Sequence, residues 1–157
     1  MKPLASIPVT DRRVAACAQA ILAVEDMTPP SALDPVLSFE AETPLRYYLM
    51  RVKHRPPVVG AMTRHQRATQ CLASADAQPW WIVVAPPERL AADLTPQDLL
   101  LIRMEPGQGL KLHRGTWHAG PFFEQASALF FNLELADTNI NDHGLQSLSV
   151  QVPLQLN

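Results

Sequence analysis

Alternation of apolar and polar residues with a period of two is the clearest pattern in this chain, and it predicts β-strands. Near the C-terminus, five apolar residues follow this alternation: Leu148, Val150, Val152, Leu154 and Leu156. A second such run covers residues 129–135. Its apolar positions Leu129, Phe131, Leu133 and Leu135 alternate with Phe130, Asn132 and Glu134. One face of that strand can therefore take apolar groups and the other can take polar ones.

Shorter apolar and β-prone runs predict further strands, and turn signals separate them. These runs lie at residues 45–52, 58–62, 80–84, 99–104 and 110–113. Residues 105–109 and 114–116 read as tight turns, and residues 94–97 as another turn. Eight or more short strands, together with 15 prolines, indicate an all-β sandwich or barrel.

The N-terminal part has a different pattern. Thr10 can cap a short helix over about residues 11–24, since Val14, Cys17, Ala18 and Ile21 recur at helical spacing. A proline-rich connector follows at residues 27–35. The length of 157 residues fits one domain. We expect a single domain over 1–157, with the helix and connector in about 10–43 and the barrel in about 44–157.

Composition narrows the range of partners. The chain has 13 basic and 15 acidic residues and a net charge of -2, which gives no electrostatic case for nucleic acid or an anionic membrane. No apolar run reaches the roughly 20 residues that a membrane span needs, and no signal peptide is evident. Cys17 and Cys71 are far apart in the sequence. We interpret them as two buried thiols in a reducing compartment. We expect a soluble, cytoplasmic protein with a small-molecule ligand.

Three of the five histidines lie near strand ends beside other polar groups. They are His65, His113 and His118, and Gln70 follows the first by five positions. Neighbouring strands can bring such groups together at a barrel mouth, where imidazole serves as acid, base or metal ligand. Each residue also has a structural interpretation: a strand-end histidine is often simply hydrogen-bonded, and Trp117 can belong to the core. His54 and His143 lie in loops and are left out of the predicted site.

The segment Gly115-Thr116-Trp117-His118 resembles the end of the second cupin motif, in which glycine forms a hairpin and the histidine points into the barrel. The first motif is reduced to His65, because Arg67 stands where a second histidine is usual and Gln70 lies near the glutamate position. The resemblance implies a cupin-type double-stranded β-helix, or jelly-roll barrel. The reduced motif argues against a metal centre of three histidines and one glutamate.

The whole pattern is similar to that of the ureidoglycolate lyase family, over about residues 44–140. Arg64, His65 and Gln70 match an Arg-His-x-x-x-x-Gln element, and residues 113–118 match a His-Arg-x-x-Trp-His element after the glycine-rich turn 107–109. Arg51 matches an arginine on the preceding strand, and Glu134 an acidic position on a late strand. Three positions depart from the family pattern by losing polar or charged groups: Thr63, Ala119 and Leu135.

The resemblance implies cleavage of ureidoglycolate to glyoxylate and urea, a step of allantoin degradation, by a homodimer. His65 and His118 would be the acid–base groups, or ligands with Gln70 of a weakly held divalent metal; no other cofactor is implied. Gln70 would orient the hydroxyl or the amide. The remaining contacts to a small carboxylate substrate would come from a further set: Arg51, Arg64, His113, Trp117 and Glu134.

Two other functions remain open from the sequence. One is a cupin without catalytic activity that binds a small carboxylate or sugar, a reading favoured by Thr63, Ala119 and Leu135. The other is a different cupin enzyme, such as a metal-dependent isomerase or oxygenase, against which the missing second histidine argues. The fold alone does not separate them, since barrels of this type carry many functions.

Overall fold

The computed structural model describes residues 2–157, and in this part of the chain it contains eleven β-strands. The strands are β1 (Leu4–Pro8), β2 (Ala18–Ile21), β3 (Leu45–Lys53), β4 (Val58–Arg64), β5 (Gln70–Ser74), β6 (Trp80–Ala85), β7 (Leu100–Met104), β8 (Gly109–Leu112), β9 (Trp117–Phe122), β10 (Ser127–Leu135) and β11 (Gly144–Gln155). The helical segments are short: 3₁₀ turns at Arg12–Ala16, Ala91–Asp93 and Pro96–Asp98, and one α-helical turn, α1, at Thr138–Asn141. The all-β prediction is confirmed.

The strands form two sheets. Six strands close into a barrel in the order β1-β11-β4-β9-β6-β7, and β1 completes the ring by pairing in parallel with both β11 and β7. The other five form an open sheet in the order β2-β8-β5-β10-β3. This arrangement agrees with the expected cupin-type barrel.

Strand β6 separates two apolar cores, and all six of its residues are buried. Trp80, Ile82 and Val84 pack between the barrel and the five-stranded sheet. Trp81, Val83 and Ala85 point the other way and pack in a second core with residues of β4, β7, β9 and β11. A strand covered on both faces has no polar face, which explains why residues 80–85 are continuously apolar.

Strand β10 alternates as its sequence predicts, with the polar side facing inward. Phe130 is fully buried, and Asn132 and Glu134 on the same face are only 1% and 4% exposed. Phe131, on the opposite face, is 39% exposed. This reverses the usual rule that the apolar face of an antiparallel strand turns inward. The reversal places two polar side chains where a ligand can reach them.

The predicted N-terminal helix is much shorter than the expected range 11–24. Asp11, and not Thr10, caps a 3₁₀ turn that ends at Ala16. Residues Ala18–Ile21 form β2 and pair with β8. The same apolar spacing suits either structure over so few residues, and the unpaired edge of β8 offers β2 a ladder of hydrogen bonds that a helix could not use.

Strands β1, β5 and β9 were not predicted as strands, because they are short or interrupted by glycine and proline. The connector between β2 and β3 contains little regular structure and crosses the outer side of the five-stranded sheet, where the Lys111 ammonium donates a hydrogen bond to the carbonyl of Val36 at 2.9 Å. In residues 2–157, the helices all lack the length and apolar character needed to cross a membrane.

Candidate active site

A pocket of about 400 Å³ opens between the five-stranded sheet and strands β4 and β9 of the barrel. It continues the space filled by the first apolar core, since Met50 and Leu72 belong to the edge of that core and also line the pocket. The polar and charged residues around it come from five strands and from the loops and helical turn next to them: Tyr48, Arg55, Thr63, His65, Gln70, His118, Asn132, Glu134, Asn139 and His143. The structure therefore brings together His65, Gln70, His118 and Glu134 of the predicted site.

Two buried imidazoles face each other in this pocket. His65 follows β4 and His118 lies in β9, and their ring centroids are 5.1 Å apart. Nδ1 of His65 donates a hydrogen bond to the carbonyl of Asp142, and Nδ1 of His118 donates to the carbonyl of Thr116 at 3.2 Å. Because a carbonyl oxygen only accepts, Nδ1 carries the hydrogen in both rings, and in the neutral form of each ring Nε2 is the unprotonated nitrogen.

The loop that carries Asp142 holds His65 in place. The Asp142 carboxylate accepts hydrogen bonds from the backbone N–H groups of Gln66 and Arg67, both at 2.8 Å. Arg67 also pairs with Asp137 at 2.9 Å and with Glu40 at 2.8 Å. Arg67 thus occupies the position of a second cupin histidine and serves to join three loops.

A third imidazole, that of His143, was missed by the sequence reasoning. Its ring centroid is 5.6 Å from that of His65, and its side chain is exposed to solvent at the pocket. His143 lies in the loop between α1 and β11, so nothing in the local pattern separates it from a surface histidine. Only the contact of this loop with the end of β4 brings it to the site.

His118 is held in its neutral form. Burial is the largest cause that lowers its pKa, to about 4, and the neighbouring His65 and His143 lower it further. The hydrogen bond to Thr116 acts in the opposite direction but is the smaller effect. A neutral imidazole with an unprotonated Nε2 can accept a proton from a bound molecule.

A hydrogen-bonded group of four side chains forms the opposite wall. The Tyr48 hydroxyl donates to Glu134 Oε1 at 3.1 Å, and the Asn132 amide donates to the Tyr48 oxygen at 3.0 Å. Gln70 Nε2 donates to Asn132 Oδ1 at 3.0 Å and to Glu134 Oε2 at 3.3 Å. Burial of its phenol is the main cause that raises the pKa of Tyr48. The proximity of Tyr48 and Asn132 follows from the pairing of β3 with β10.

Arg55 is the one arginine among the described residues that line the pocket. It is exposed, in the loop between β3 and β4. The two arginines predicted from sequence lie elsewhere: Arg51 is exposed on the outer face of β3, and the Arg64 guanidinium sits 4.4 Å from the centre of the Trp117 ring. Strand alternation decides this, because Arg51 points away from the inward-facing Tyr48, Met50 and Val52.

His113 and Trp117 are also placed away from the pocket. Nε2 of His113 donates a hydrogen bond to the carbonyl of Ala15 at 3.1 Å and so contacts the N-terminal 3₁₀ turn. Trp117 is buried in the second core, and its Nε1 donates to the carbonyl of Arg89 at 2.9 Å. Thus the two ends of the His-Arg-x-x-Trp-His element diverge, and only its final histidine lines the pocket.

The three residues predicted as metal ligands, His65, Gln70 and His118, all line the pocket. In residues 2–157, no three or more histidine, cysteine, aspartate or glutamate side chains are arranged to hold one ion. Gln70 turns its amide nitrogen towards Glu134, and its Oε1, the atom through which an amide can ligate a cation, has no hydrogen-bond partner.

Comparison with known sequence families identifies a match. The sequence model of the family described as ureidoglycolate lyase matches residues 19–156. No curated protein matches the chain. The matched range covers most of the chain and includes every residue of the pocket.

The lowered pKa of His118 predicts that acid destabilises the fold. Between about pH 6.5 and 4 the unfolded chain binds a proton on this histidine and the folded protein does not, so the free energy of unfolding falls with falling pH. The loss reaches roughly 3 kcal/mol for the whole interval. Chemical denaturation across this range should show a flatter pH dependence for His118→Gln than for the unchanged protein. Parallel curves for the two proteins would contradict the assignment.

Proposed function

Because the chain belongs to the ureidoglycolate lyase family, we propose that its pocket cleaves ureidoglycolate to glyoxylate and urea. The observation that carries the proposal is the pair of buried imidazoles, His65 and His118, whose Nδ1 atoms are held by backbone carbonyls, in a pocket that Arg55 also lines. These groups suit a small substrate that has a hydroxyl to deprotonate and a carboxylate to hold.

The reaction moves one proton from oxygen to nitrogen. The hydroxyl O–H bond breaks and its electrons form the carbonyl of glyoxylate. The C–N bond breaks at the same carbon, and its electron pair stays on the ureido nitrogen. That nitrogen takes up a proton and leaves as urea. Atoms and electrons balance without any oxidant or co-reactant, so a group that accepts a proton and returns it is sufficient.

His118 is the residue best suited to move this proton. Its Nε2 is available to accept the hydroxyl proton, and its lowered pKa keeps the imidazole neutral before the reaction. The same burial makes the protonated ring unfavourable, so the proton passes readily to the departing nitrogen. His65 is the second acid–base group. The exposed imidazole of His143 can exchange protons between this pair and solvent.

Arg55 holds the substrate carboxylate in this proposal. Its planar guanidinium can donate two parallel hydrogen bonds to a carboxylate. Its side chain is exposed and lines the pocket, so it can meet the carboxylate of an entering substrate. Arg51 and Arg64, which the family resemblance offered for this role, point elsewhere.

The three departures from the family pattern affect this site unequally. Thr63 and Ala119 line the pocket, while Leu135 is fully buried and is not among the lining residues. Thr63 pairs with His118 across β4 and β9. The pocket thus has fewer polar or charged groups next to His118 than the family pattern implies, and the two histidines carry the acid–base chemistry.

We also propose that the enzyme is a homodimer that forms through the outer face of the five-stranded sheet. Most of the exposed large apolar residues lie on that face or on the connector beside it: Leu22, Val24, Met27, Leu33, Val36, Leu37, Phe39, Leu45, Tyr47, Leu49 and Phe131. Tyr47 and Phe131 stack at 5.8 Å, beside a groove of about 430 Å³. Such concentration marks an interaction surface.

A second copy of the chain fits this surface in size. Five strands at about 4.8 Å spacing give a sheet roughly 24 Å wide, and the connector covers part of its outer face at β8. With the connector, the patch is comparable to the roughly 800 Å² that each partner contributes to a stable interface. Strand β3 also leaves one edge of this sheet unpaired in the described part of the chain, so the patch is continuous with an edge that another copy can cover.

The expected cellular location is the cytoplasm, where the enzyme would take part in allantoin degradation. Within residues 2–157, Cys17 and Cys71 are both free thiols, which a reducing compartment preserves. Burial raises the pKa of Cys17 to about 12 and that of Cys71 to about 11. Both thiols are therefore in the unreactive protonated form near neutral pH.

Replacing His118 should abolish most of the activity. We expect His118→Ala to lower kcat for glyoxylate release from ureidoglycolate by roughly 10²–10⁴-fold, the usual value of acid–base catalysis. The matched control is His113→Ala, which removes a histidine outside the pocket and should keep normal turnover. No glyoxylate from the unchanged protein, with or without added divalent metal, would refute the proposed function. Normal turnover by His118→Ala would refute its mechanism.

Arg55 and Arg51 should differ sharply in their effect on the substrate. Arg55→Gln removes the proposed carboxylate contact, and we expect KM to rise by roughly tenfold or more, since hydrogen bonds to a charged group are worth about 1.5–3 kcal/mol. Arg51→Gln changes a residue on the outer face of β3, away from the pocket, and should leave KM unchanged. Steady-state kinetics of glyoxylate release measures both. An equal effect of the two substitutions would show that Arg55 is not the anchor.

A charge on the outer face should separate the dimer. Tyr47 is 68% exposed on β3, and Tyr47→Glu should convert the dimer to a monomer. Val150→Glu is the matched control, because Val150 is 42% exposed on β11 of the barrel. Sedimentation equilibrium gives the mass of each. A monomeric unchanged protein, or a dimeric Tyr47→Glu, would contradict the proposed interface.

A further inference from the structure

One buried polar atom at the pocket is left without a partner. Gln70 is 8% exposed, and its Oε1 is buried and accepts no hydrogen bond, whereas its Nε2 makes two. A buried carbonyl oxygen without a donor is destabilising, and native proteins seldom keep one unless a ligand or water satisfies it. Gln70 lines the pocket, although Oε1 itself exposes no surface there, so a donor from the pocket reaches Oε1 once the neighbouring side chains shift to admit a ligand.

The orientation of the Gln70 amide is fixed by Glu134. An ionised carboxylate only accepts hydrogen bonds, so it requires the donor end of Gln70 and the hydroxyl of Tyr48. If the amide were turned over, Gln70 Oε1 would face the carboxylate of Glu134. If the Asn132 amide turned over as well, its oxygen would accept the hydrogen of the Tyr48 hydroxyl. Glu134 would then lose that donor. The observed arrangement is the one that satisfies all four side chains except Gln70 Oε1.

We propose that Gln70 Oε1 accepts a hydrogen bond from the terminal NH₂ of a ureido group, and that Glu134 is the positioning residue that aims it. This inference rests on the proposed function for the identity of the ligand and extends it by assigning the end of the substrate that leaves as urea. Glu134 then acts through Gln70, and it does not contact the substrate. The pocket then binds both ends of a ureido acid: Arg55 contacts the carboxylate, and Gln70 contacts the terminal amide.

A specificity follows from this geometry. An acyl group with a methyl in place of the terminal NH₂ has the same size but would leave Oε1 without a donor. A site built to pair with an N–H group rejects an analogue that lacks it, because the buried acceptor then stays unpaired. Gln70 therefore selects ureido acids over acylamino acids.

Two stable ligands of nearly equal shape test the proposal. N-carbamoylglycine carries the terminal NH₂ and N-acetylglycine has a methyl there, and neither has the hydroxyl that the lyase reaction needs. Isothermal titration calorimetry of the full chain should show binding of N-carbamoylglycine at least about tenfold tighter than that of N-acetylglycine. Gln70→Leu should remove this preference. Glu134→Gln should reduce it, because a neutral amide no longer fixes the orientation of Gln70.

The control is Arg55→Gln, which should weaken both ligands by the same factor and keep their ratio. If Gln70→Leu does not fold, as judged by circular dichroism, Gln70→Met provides the same loss of the acceptor with a longer, more flexible side chain. A preference that persists in the folded Gln70 variant overturns the inference, as does the lack of any preference in the unchanged protein. An unchanged ratio in Glu134→Gln overturns the positioning role.

If the proposed function is wrong, the activity assay and the binding experiment give a different pair of results than if the Gln70 contact is wrong. If the unchanged protein releases no glyoxylate from ureidoglycolate but prefers N-carbamoylglycine, and Gln70→Leu loses that preference, then the ureido contact stands and the lyase reaction does not. If glyoxylate is released but the two ligands bind equally, the reaction stands and the contact is wrong. Each pair of outcomes therefore decides the two claims separately.

Discussion

The structure depends on strand β6, which is the shared wall of two apolar cores. All six of its residues are buried, with Trp80, Ile82 and Val84 on one side and Trp81, Val83 and Ala85 on the other. Because both faces of this strand are covered, the barrel and the five-stranded sheet are held at a fixed separation. That separation sets the space in which the pocket lies, and it does so without a disulfide among the described residues.

The pocket begins where the inter-sheet core stops being apolar. Along the inner face of β10, the fully buried Phe130 is followed by Asn132 and Glu134, which are also buried. Burial of a carboxylate is costly unless donors compensate it, and the Tyr48 hydroxyl and Gln70 amide supply them. The same low exposure keeps His118 neutral across from this wall. One change in side-chain type along one strand therefore creates both the cavity and its electrostatics.

Much of the fold could be predicted because the alternation of buried and exposed positions in a strand is visible in its local sequence. The alternation at residues 129–135 and 148–156 and the apolar run at 80–84 predicted β10, β11 and β6 correctly, since each pattern depends only on which face of a strand is covered. The N-terminal helix was predicted too long for the opposite reason. Val14, Cys17 and Ala18 suit a helix locally, but β2 gains its hydrogen bonds from β8, about ninety residues later. A pairing strand that far away in the sequence does not change the local spacing of apolar residues.

The sequence by itself determined that the chain is all-β and that it resembles one lyase family. It also predicted a site with His65, Gln70, His118 and Glu134, and these four residues line one pocket. The tertiary structure decided which residues join them. It placed Arg51 on the outer face and Arg55 and His143 at the pocket, and it turned His113 and Trp117 away. The physical reason is that a motif states the order of residues, whereas the direction of each side chain depends on strand alternation and loop contacts.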